Sequence, residues 1–406
     1  MSIVKKVPEI RFKRFGREWE NLTLGDLGSV AMNKRIFKHQ TTITGDVPFF
    51  KIGTFGKQPD AFISKALFDE YKEKYPYPVE GDLLLSASGS IGRVVEYKGE
   101  DHYFQDSNIV WLKHDGKIDN SFLKVFYSTV KWSGLEGSTI QRLYNKNILD
   151  TEISTPERQE QIAIGNYFQK LDALINQHQQ KHDKLNSIKK AMLEKMFPKP
   201  GETIPEIRFK GYSNEWFEVK LGEVARIKGR LGWKSLKQNE YLSDGPAMIA
   251  GKHIENGHIN WSTVDHIPEW RYIESPEIML KNDDVIFSKD GSLGNPAVVS
   301  NLQCKATINS TMMLVRPSNN LDSNFFYQIL NTKLFKELIK EKVSGSSIPH
   351  LFQADMKLFK FYNTSLEEQY QIGVYFKKLD TLINQHQKQI TKLNNIKQAC
   401  LNKMFV

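Results

Sequence analysis

Four stretches of the sequence carry residue types that could do chemistry, and none of them closes into a complete site. Pro59-Asp60, followed by Glu70-Tyr71-Lys72, fits the loose spacing of a metal-dependent nuclease. In such a site the carboxylates would hold a divalent ion and the lysine would position a water. The pattern is short, and nothing like it recurs in the second half of the chain. A turn followed by a solvated charged helix over Leu67–Lys74 accounts for it more simply. A methyltransferase needs a glycine-rich cofactor loop and an Asn/Asp-Pro-Pro-aromatic motif; the nearest stretch, Asn295-Pro296-Ala297-Val298, lacks the second proline and the aromatic residue. A phosphate-binding loop needs four residues between its glycines, then Lys and Ser/Thr. Gly245 and Gly251-Lys252 have five between them, and His253 follows. His178 and His386 could suggest a metal pair, but polar residues on a helical seam more often set pairing register. No cofactor, metal or catalytic residue is therefore expected in this chain.

The basic residues point elsewhere. The formal net charge is +9, which suits a polyanionic partner. Lys34 and Arg35 follow Asn33, and Lys228, Arg230 and Lys234 cluster around Trp233. Lysine and arginine neutralise phosphates, which sets affinity for nucleic acid without reading sequence. Reading bases needs Arg or Lys for guanine, Asn or Gln for adenine, with Ser serving either. Candidates are Ser88, Ser90, Gln141 and Arg142 in the first half, and Lys252, His253, Lys289, Ser292 and His350 in the second.

Other classes are disfavoured. No apolar run approaches the 18 or so residues of a membrane span. The N-terminal MSIVKKVPEIRFKRF lacks the apolar core of a signal peptide. Cys304 and Cys400 are the only cysteines, too few for a disulfide scaffold or a zinc finger. A cytoplasmic protein is expected.

The elements that must position these candidates are legible from an internal repeat. Gln161–Phe197 reads QIAIGNYFQKLDALINQHQQKHDKLNSIKKAMLEKMF, and Gln369–Phe405 reads QYQIGVYFKKLDTLINQHQKQITKLNNIKQACLNKMF, without a gap. Apolar residues three or four apart predict one long amphipathic helix per copy, over Asn166–Phe197 and from Val374 onward. Some 31 residues make a rod of roughly 46 Å. Two such rods in one chain are expected to pair as an antiparallel coiled coil. The predicted seam is Leu171, Leu174, His178, Leu185, Ile188 and Met192, against Leu379, Leu382, His386, Leu393 and Ile396.

A second repeat opens each half. VPEIRFKRFGREWENLTLGDL from Val7 matches IPEIRFKGYSNEWFEVKLGEV from Ile204, and reads as an arm followed by a strand with Trp19 and Trp216 as core anchors. Gly81-Asp82-Leu83-Leu84-Leu85-Ser86 matches Asp283-Asp284-Val285-Ile286-Phe287-Ser288, each followed by a turn of the form Gly-Ser-x-Gly. Gly137-Ser138-Thr139-Ile140 with Leu143 matches Gly345-Ser346-Ser347-Ile348 with Leu351. Residues 28–80 and 225–281 share no such match. The predicted architecture is α+β: an arm and globular domain over 1–155, a helix over 156–199, a second arm and domain over 200–364, and a second helix over 365–406. Phe197 leads to Ile204 in a few residues, and joining Phe405 to Val7 would take about as many. The two termini are therefore expected to lie close together, in a molecule of approximate two-fold symmetry.

This layout strongly resembles the specificity subunit of type I restriction–modification systems. The resemblance covers the whole chain. Its sharpest marks are Glu160-Gln161, Ile164, Tyr167-Phe168, Leu171-Asp172 and Ile175, and their copy Glu368-Gln369, Ile372, Tyr375-Phe376, Leu379-Asp380 and Ile383. The resemblance implies two target-recognition domains, each reading one half of a split double-stranded DNA site, with paired helices fixing the gap. It implies a non-catalytic chain on which two modification (methyltransferase) subunits carrying S-adenosylmethionine, and restriction (motor–nuclease) subunits using ATP and Mg, assemble. One position departs from the pattern: Asp283 stands where the first half has Gly81.

Overall fold

The computed structural model describes residues 7–134, 141–230, 236–291, 293–344 and 349–405. The chain forms two compact units, residues 1–177 with 389–406, and residues 178–388. Among the described residues no helix is long and apolar enough to cross a membrane.

Each unit is α+β, and the two share a topology. In the first, strand Ser29–Met32 pairs with Ile109–Lys113, which pairs with Leu83–Ser86, which pairs with Val94–Glu96. In the second, Ala225–Gly229, Met312–Pro317, Val285–Ser288 and Gly294–Val298 follow the same order. A smaller sheet recurs too. Val47–Phe50 lies antiparallel to Phe62–Ile63 and parallel to Tyr103–Phe104. Leu242–Ile249 lies antiparallel to Asp265–His266 and parallel to Ala306–Ile308. The stretches that share no alignable sequence therefore share a fold.

Strand alternation divides each core in two, because successive side chains point to opposite faces. Leu83 and Leu85 face the core that also holds Trp19, Phe122 and Phe168, while Leu84 faces Phe50, Phe104 and Trp111. Val285 and Phe287 face Trp216, Phe325 and Phe376, while Ile286 faces Ile249, Ile308 and Leu314. Asp283 keeps the backbone of its glycine counterpart. Gly81 has φ +90° and Asp283 φ +70°. Each N–H closes the same hairpin, on Tyr97 O at 2.8 Å and Val299 O at 2.9 Å. Asp is among the few side chains that tolerate this left-handed region.

The long helices run over Arg158–Lys195 and Leu366–Lys403, 38 residues each, or about 57 Å. They start earlier than the sequence suggests because Gly165 and Gly373 lie inside them. These glycines permit a close approach. A Cβ on Gly165 would sit 1.8 Å from Ser121 Oγ and 2.9 Å from the Ser121 carbonyl carbon. On Gly373 it would sit 2.8 Å from Asp322 Oδ1. Alanine would gain about 1 kcal/mol in helix propensity. Overpacking at this contact costs about 1–3 kcal/mol, so Gly165→Ala is expected to be net destabilising, read as a lower urea midpoint.

Next to these glycines, Gln161 Oε1 accepts from Asp119 N–H at 2.9 Å and Gln369 Oε1 from Asp322 N–H at 2.8 Å. Asp119 and Asp322 cap the helices Asn120–Thr129 and Ser323–Ile329. The repeated glutamine thus fixes each domain's capping residue to its long helix.

Both units contain an antiparallel helix pair. In the first, Leu393, Ile396 and Cys400 pack on the core that holds Leu171, and Lys397 Nζ lies 2.6 Å from Asp172. In the second, Leu185, Ile188 and Met192 pack on the core that holds Leu379, and Lys189 Nζ lies 2.5 Å from Asp380. His178 and His386 meet Nδ1 to Nδ1 at 2.9 Å. Burial, then the charges of His178, Lys181 and His182, hold the His386 imidazole below its usual pKa.

Leu174 and Leu382 are not on the seam. They are 44% and 43% exposed. Buried or half-buried positions, with Ile188 and Ile396 half-buried beside them, include Leu171, Ile175, His178, His182, Leu185, Lys189, Met192 and Leu379, Ile383, His386, Ile390, Leu393, Lys397, Cys400. That is an unbroken four-three spacing, which selects the isoleucine of each Leu-Ile doublet.

The termini themselves, residues 1–6 and Val406, lie outside the described residues; each arm is bonded to the end of a long helix within its own unit. In the first unit Ile10 N–H donates to Lys403 O at 2.9 Å, as Ile207 N–H does to Lys195 O at 2.9 Å in the second.

Candidate nucleic-acid interface

In the first unit four of the candidates converge where the central strand Leu83–Ser86 ends. Ala87 continues the strand, donating to Asn108 O at 2.7 Å and accepting from Leu143 N–H at 2.8 Å. Ser88 and Arg142 form an antiparallel bridge there. Ser88 is itself buried and donates to Asn108 Oδ1 at 2.7 Å. Ser90, Gln141 and Arg142 are exposed. The turn between them needs left-handed backbone at Gly89 and Gly92, φ +65° and +85°.

Of the other two basic candidates, Arg35 comes near this surface and Lys34 stands elsewhere. Arg35 Nε donates to Asp106 Oδ2 at 2.8 Å, two residues from Asn108. Lys34 Nζ stands 4.9 Å over the Tyr75 ring.

The second unit builds the same junction from different side chains. Lys289 donates to Thr311 O at 2.8 Å and accepts from Leu351 N–H at 2.9 Å. Asp290 and His350 form the bridge. Lys289 Nζ donates to Asp290 Oδ2 at 3.1 Å, and His350 Nδ1 hydrogen-bonds Asp290 Oδ1. The His350 ring lies 4.3 Å from that of Phe352.

The remaining candidates of the second unit flank this junction, since Gly229 lies beside Lys289 and Gly251 beside Ser288, but their side chains are engaged or turned inward. Lys252 is exposed and pairs with Asp265 at 3.0 Å. His253 is only 2% exposed, so it is a core residue and not a base reader. The short turn Gly251–His253 folds its ring inward, where Nδ1 accepts from Ala250 N–H at 3.0 Å. Burial lowers its pKa, against the opposing pull of Asp265. Arg230 is withdrawn as well: its side chain is 7% exposed, with Glu274 at 3.8 Å. Lys228 is half-buried in strand Ala225–Gly229. Lys234 and Ser292 lie outside the described residues.

The nuclease-like residues do not converge. Asp60 pairs with Lys51 at 2.8 Å, Glu70 with Lys74 at 3.1 Å, and Lys72 with Asp101 at 3.5 Å. The helix Lys65–Lys74 is a solvated charged surface. Among the described residues no group of three His, Cys, Asp or Glu side chains is arranged to hold a metal.

A polar surface built from strand ends, under a net charge of +9, suits binding to a duplex groove better than catalysis. Comparison with known proteins agrees. The model of the type I restriction modification DNA specificity domain matches residues 16–187 and again 213–395. A Haemophilus influenzae protein assigned as a type I restriction enzyme specificity subunit is 54% identical over 156 residues, 38% of this chain and 40% of that one. The MjaVIII specificity subunit of Methanocaldococcus jannaschii is 22% identical over 330 residues, 79% of this chain and 75% of that one. The crystal structure of the type I restriction–modification S subunit from M. genitalium superposes with a TM-score of 0.64 at 19% identity, over 98% of this chain and 99% of that one. The chain belongs to the type I restriction–modification DNA specificity family, and its activity is DNA recognition.

Proposed function

We propose that each globular domain reads one half of a bipartite, asymmetric DNA site and that the paired helices set the gap between halves. The observation that carries this reading is one topology built twice with different side chains at the same strand ends. Two copies of one reader would suit a palindrome, whereas two dissimilar readers call for two dissimilar half-sites. Half-sites read from one face of a duplex lie about one helical turn, roughly 34 Å, apart. A stiff helix pair is the element whose length such a gap can follow.

The chain itself is non-catalytic in this proposal. It recognises the site and scaffolds two adenine-methylating modification subunits and the motor–nuclease subunits. S-adenosylmethionine, ATP and Mg belong to those partners.

The test is single-molecule mapping of methyladenine in cells with an active modification partner, with and without this chain. A split, asymmetric motif that appears only with the chain is expected. Exchanging residues 28–150 for those of a relative should change one half alone. Adding seven residues to both helices at matched positions adds about 10 Å, or roughly three base pairs at 3.4 Å each. The gap should lengthen while both halves stay the same. A changed half-site in that variant, or no motif with an active partner, refutes the reading.

A further inference from the structure

We propose that the bridged strand end is the base-reading element of each domain, and that Arg142 is the guanine reader of the first. This rests on the bipartite-site reading and assigns residues within it.

A side chain that reads bases differs physically from one that holds phosphates. A phosphate contact needs charge and little positioning, and it carries no sequence information. A base contact needs a fixed backbone that presents a donor pair at one place. The backbone at Arg142 is held against the strand end. Ser88 bridges it, and the next residue, Leu143, is buried and bonded to Ala87. The guanidinium is exposed and has no partner among the described residues. It is therefore a preformed fork with free donors, suited to O6 and N7 of guanine. Beside it, Asn108 Oδ1 is occupied by the Ser88 hydroxyl. Its amide N–H groups remain available to a neighbouring base.

The comparison of the two units supplies the second argument. The anchors recur: Leu143 and Leu351 are both buried and donate to the matching carbonyls, Ala87 O and Lys289 O. The side chains that the anchors present do not recur. Arg142 is replaced by His350, and Ser88 by Asp290. A purely structural bridge has no need of different tips, and a phosphate clamp has no need to exchange Ser for Asp. An aspartate beside lysine and histidine presents an acceptor suited to a cytosine amino group. The frame is kept and the tips diverge, as two unlike half-sites require.

The experiment uses the full chain with its modification partner. Methylated-motif mapping is combined with competition binding to duplexes in which each base pair of the mapped motif is changed in turn. Arg142→Ala should lose preference at one G·C pair of one half, with affinity for the cognate duplex falling about 10- to 100-fold, and leave the other half unchanged. His350→Ala should relax one position of the other half. The thermal midpoint of Arg142→Ala should match the parent, because Arg142 is exposed; that of His350→Ala should fall slightly, because the ring also leaves Asp290 and Phe352.

A uniform loss across all duplexes with a shallower salt dependence would make Arg142 a phosphate contact and overturn the assignment. Unchanged preference in Arg142→Ala would overturn it too, while leaving the bipartite reading intact. If the parent chain yields no split motif, it is the bipartite reading that fails, and the assignment falls with it.

Discussion

Replacing Glu160 by alanine is expected to destabilise the first unit by about 3–5 kcal/mol. Arg11 of the N-terminal arm makes a two-pronged contact with this carboxylate, Nε to Oε1 at 2.7 Å and Nη2 to Oε2 at 2.6 Å. The side chains are 10% and 0% exposed. Arginine's planar fork matches a carboxylate in this geometry. Hydrogen bonding to Glu160 raises the Arg11 pKa further, so the guanidinium stays charged at any ordinary pH. Removing one partner of a buried pair strands the other charge in a poorly solvated place, and that stranding sets the magnitude.

The double variant Arg11→Ala/Glu160→Ala should therefore lose less than Glu160→Ala alone. Chemical denaturation of the four members of this cycle, with hydrogen exchange over residues 8–12, checks both points. A loss below about 1 kcal/mol in Glu160→Ala would show that water reaches Arg11 as in an exposed pair. The second unit repeats the clamp, with Arg208 at 2.6 and 2.8 Å from Glu368. There the Thr364 hydroxyl also donates to the carboxylate, so Glu368→Ala should cost at least as much.

The residues of these clamps were visible in the sequence because both halves need the same atoms in the same places. Glu160-Gln161 recurs as Glu368-Gln369: the glutamate holds the arm and the glutamine holds a helix cap, and neither task tolerates another side chain. The sheets are the opposite case. Residues 28–80 and 225–281 do not align, yet their strands follow one order, because a pleated strand asks for alternation and not for identity. The predicted seam departs from the structure at the same doublet in both copies, Leu174-Ile175 and Leu382-Ile383. Leu174-Ile175 offers two adjacent apolar residues, and only the four-three spacing carried from Leu171 through Leu185 to Met192 selects Ile175.

The candidate site was half legible. Within the first unit Arg142 meets Ser88, and within the second His350 meets Asp290 beside Lys289, each through a bridge between strand ends far apart in the chain. Asn108 and Asp290 were missed. A search for cations and for amides near glycine turns passes over an acid, and Asn108 enters only through its hydrogen bond to Ser88. His253 misled for a local reason: one short turn tucks its ring into the core, and no spacing in the sequence reports that.

Phe197→Ala is the other large effect expected, about 3–5 kcal/mol in the second unit. The end of the first long helix places this ring among three others. Trp216 of the arm meets it edge-on at 6.0 Å and 86°, Phe325 of the domain helix lies at 5.7 Å, and Phe376 of the second long helix at 6.2 Å. Removing it opens a cavity where arm, domain and helix pair meet, and none of the three can fill it without leaving the other two. Phe197→Leu keeps most of the volume and should cost under about 1.5 kcal/mol. Phe405 occupies the same place in the first unit, 6.2 Å from Trp19, 5.5 Å from Phe122 and 6.4 Å from Phe168. It is only half-buried, whereas Phe197 is buried. Less apolar surface returns to water when Phe405 is cut back, so Phe405→Ala should cost less than Phe197→Ala. Urea unfolding of the two variants measures that order. A reversed order would mean that the solvent exposure of Phe405 does not weaken the junction, and that the two aromatic clusters do not stabilise their units in the same way.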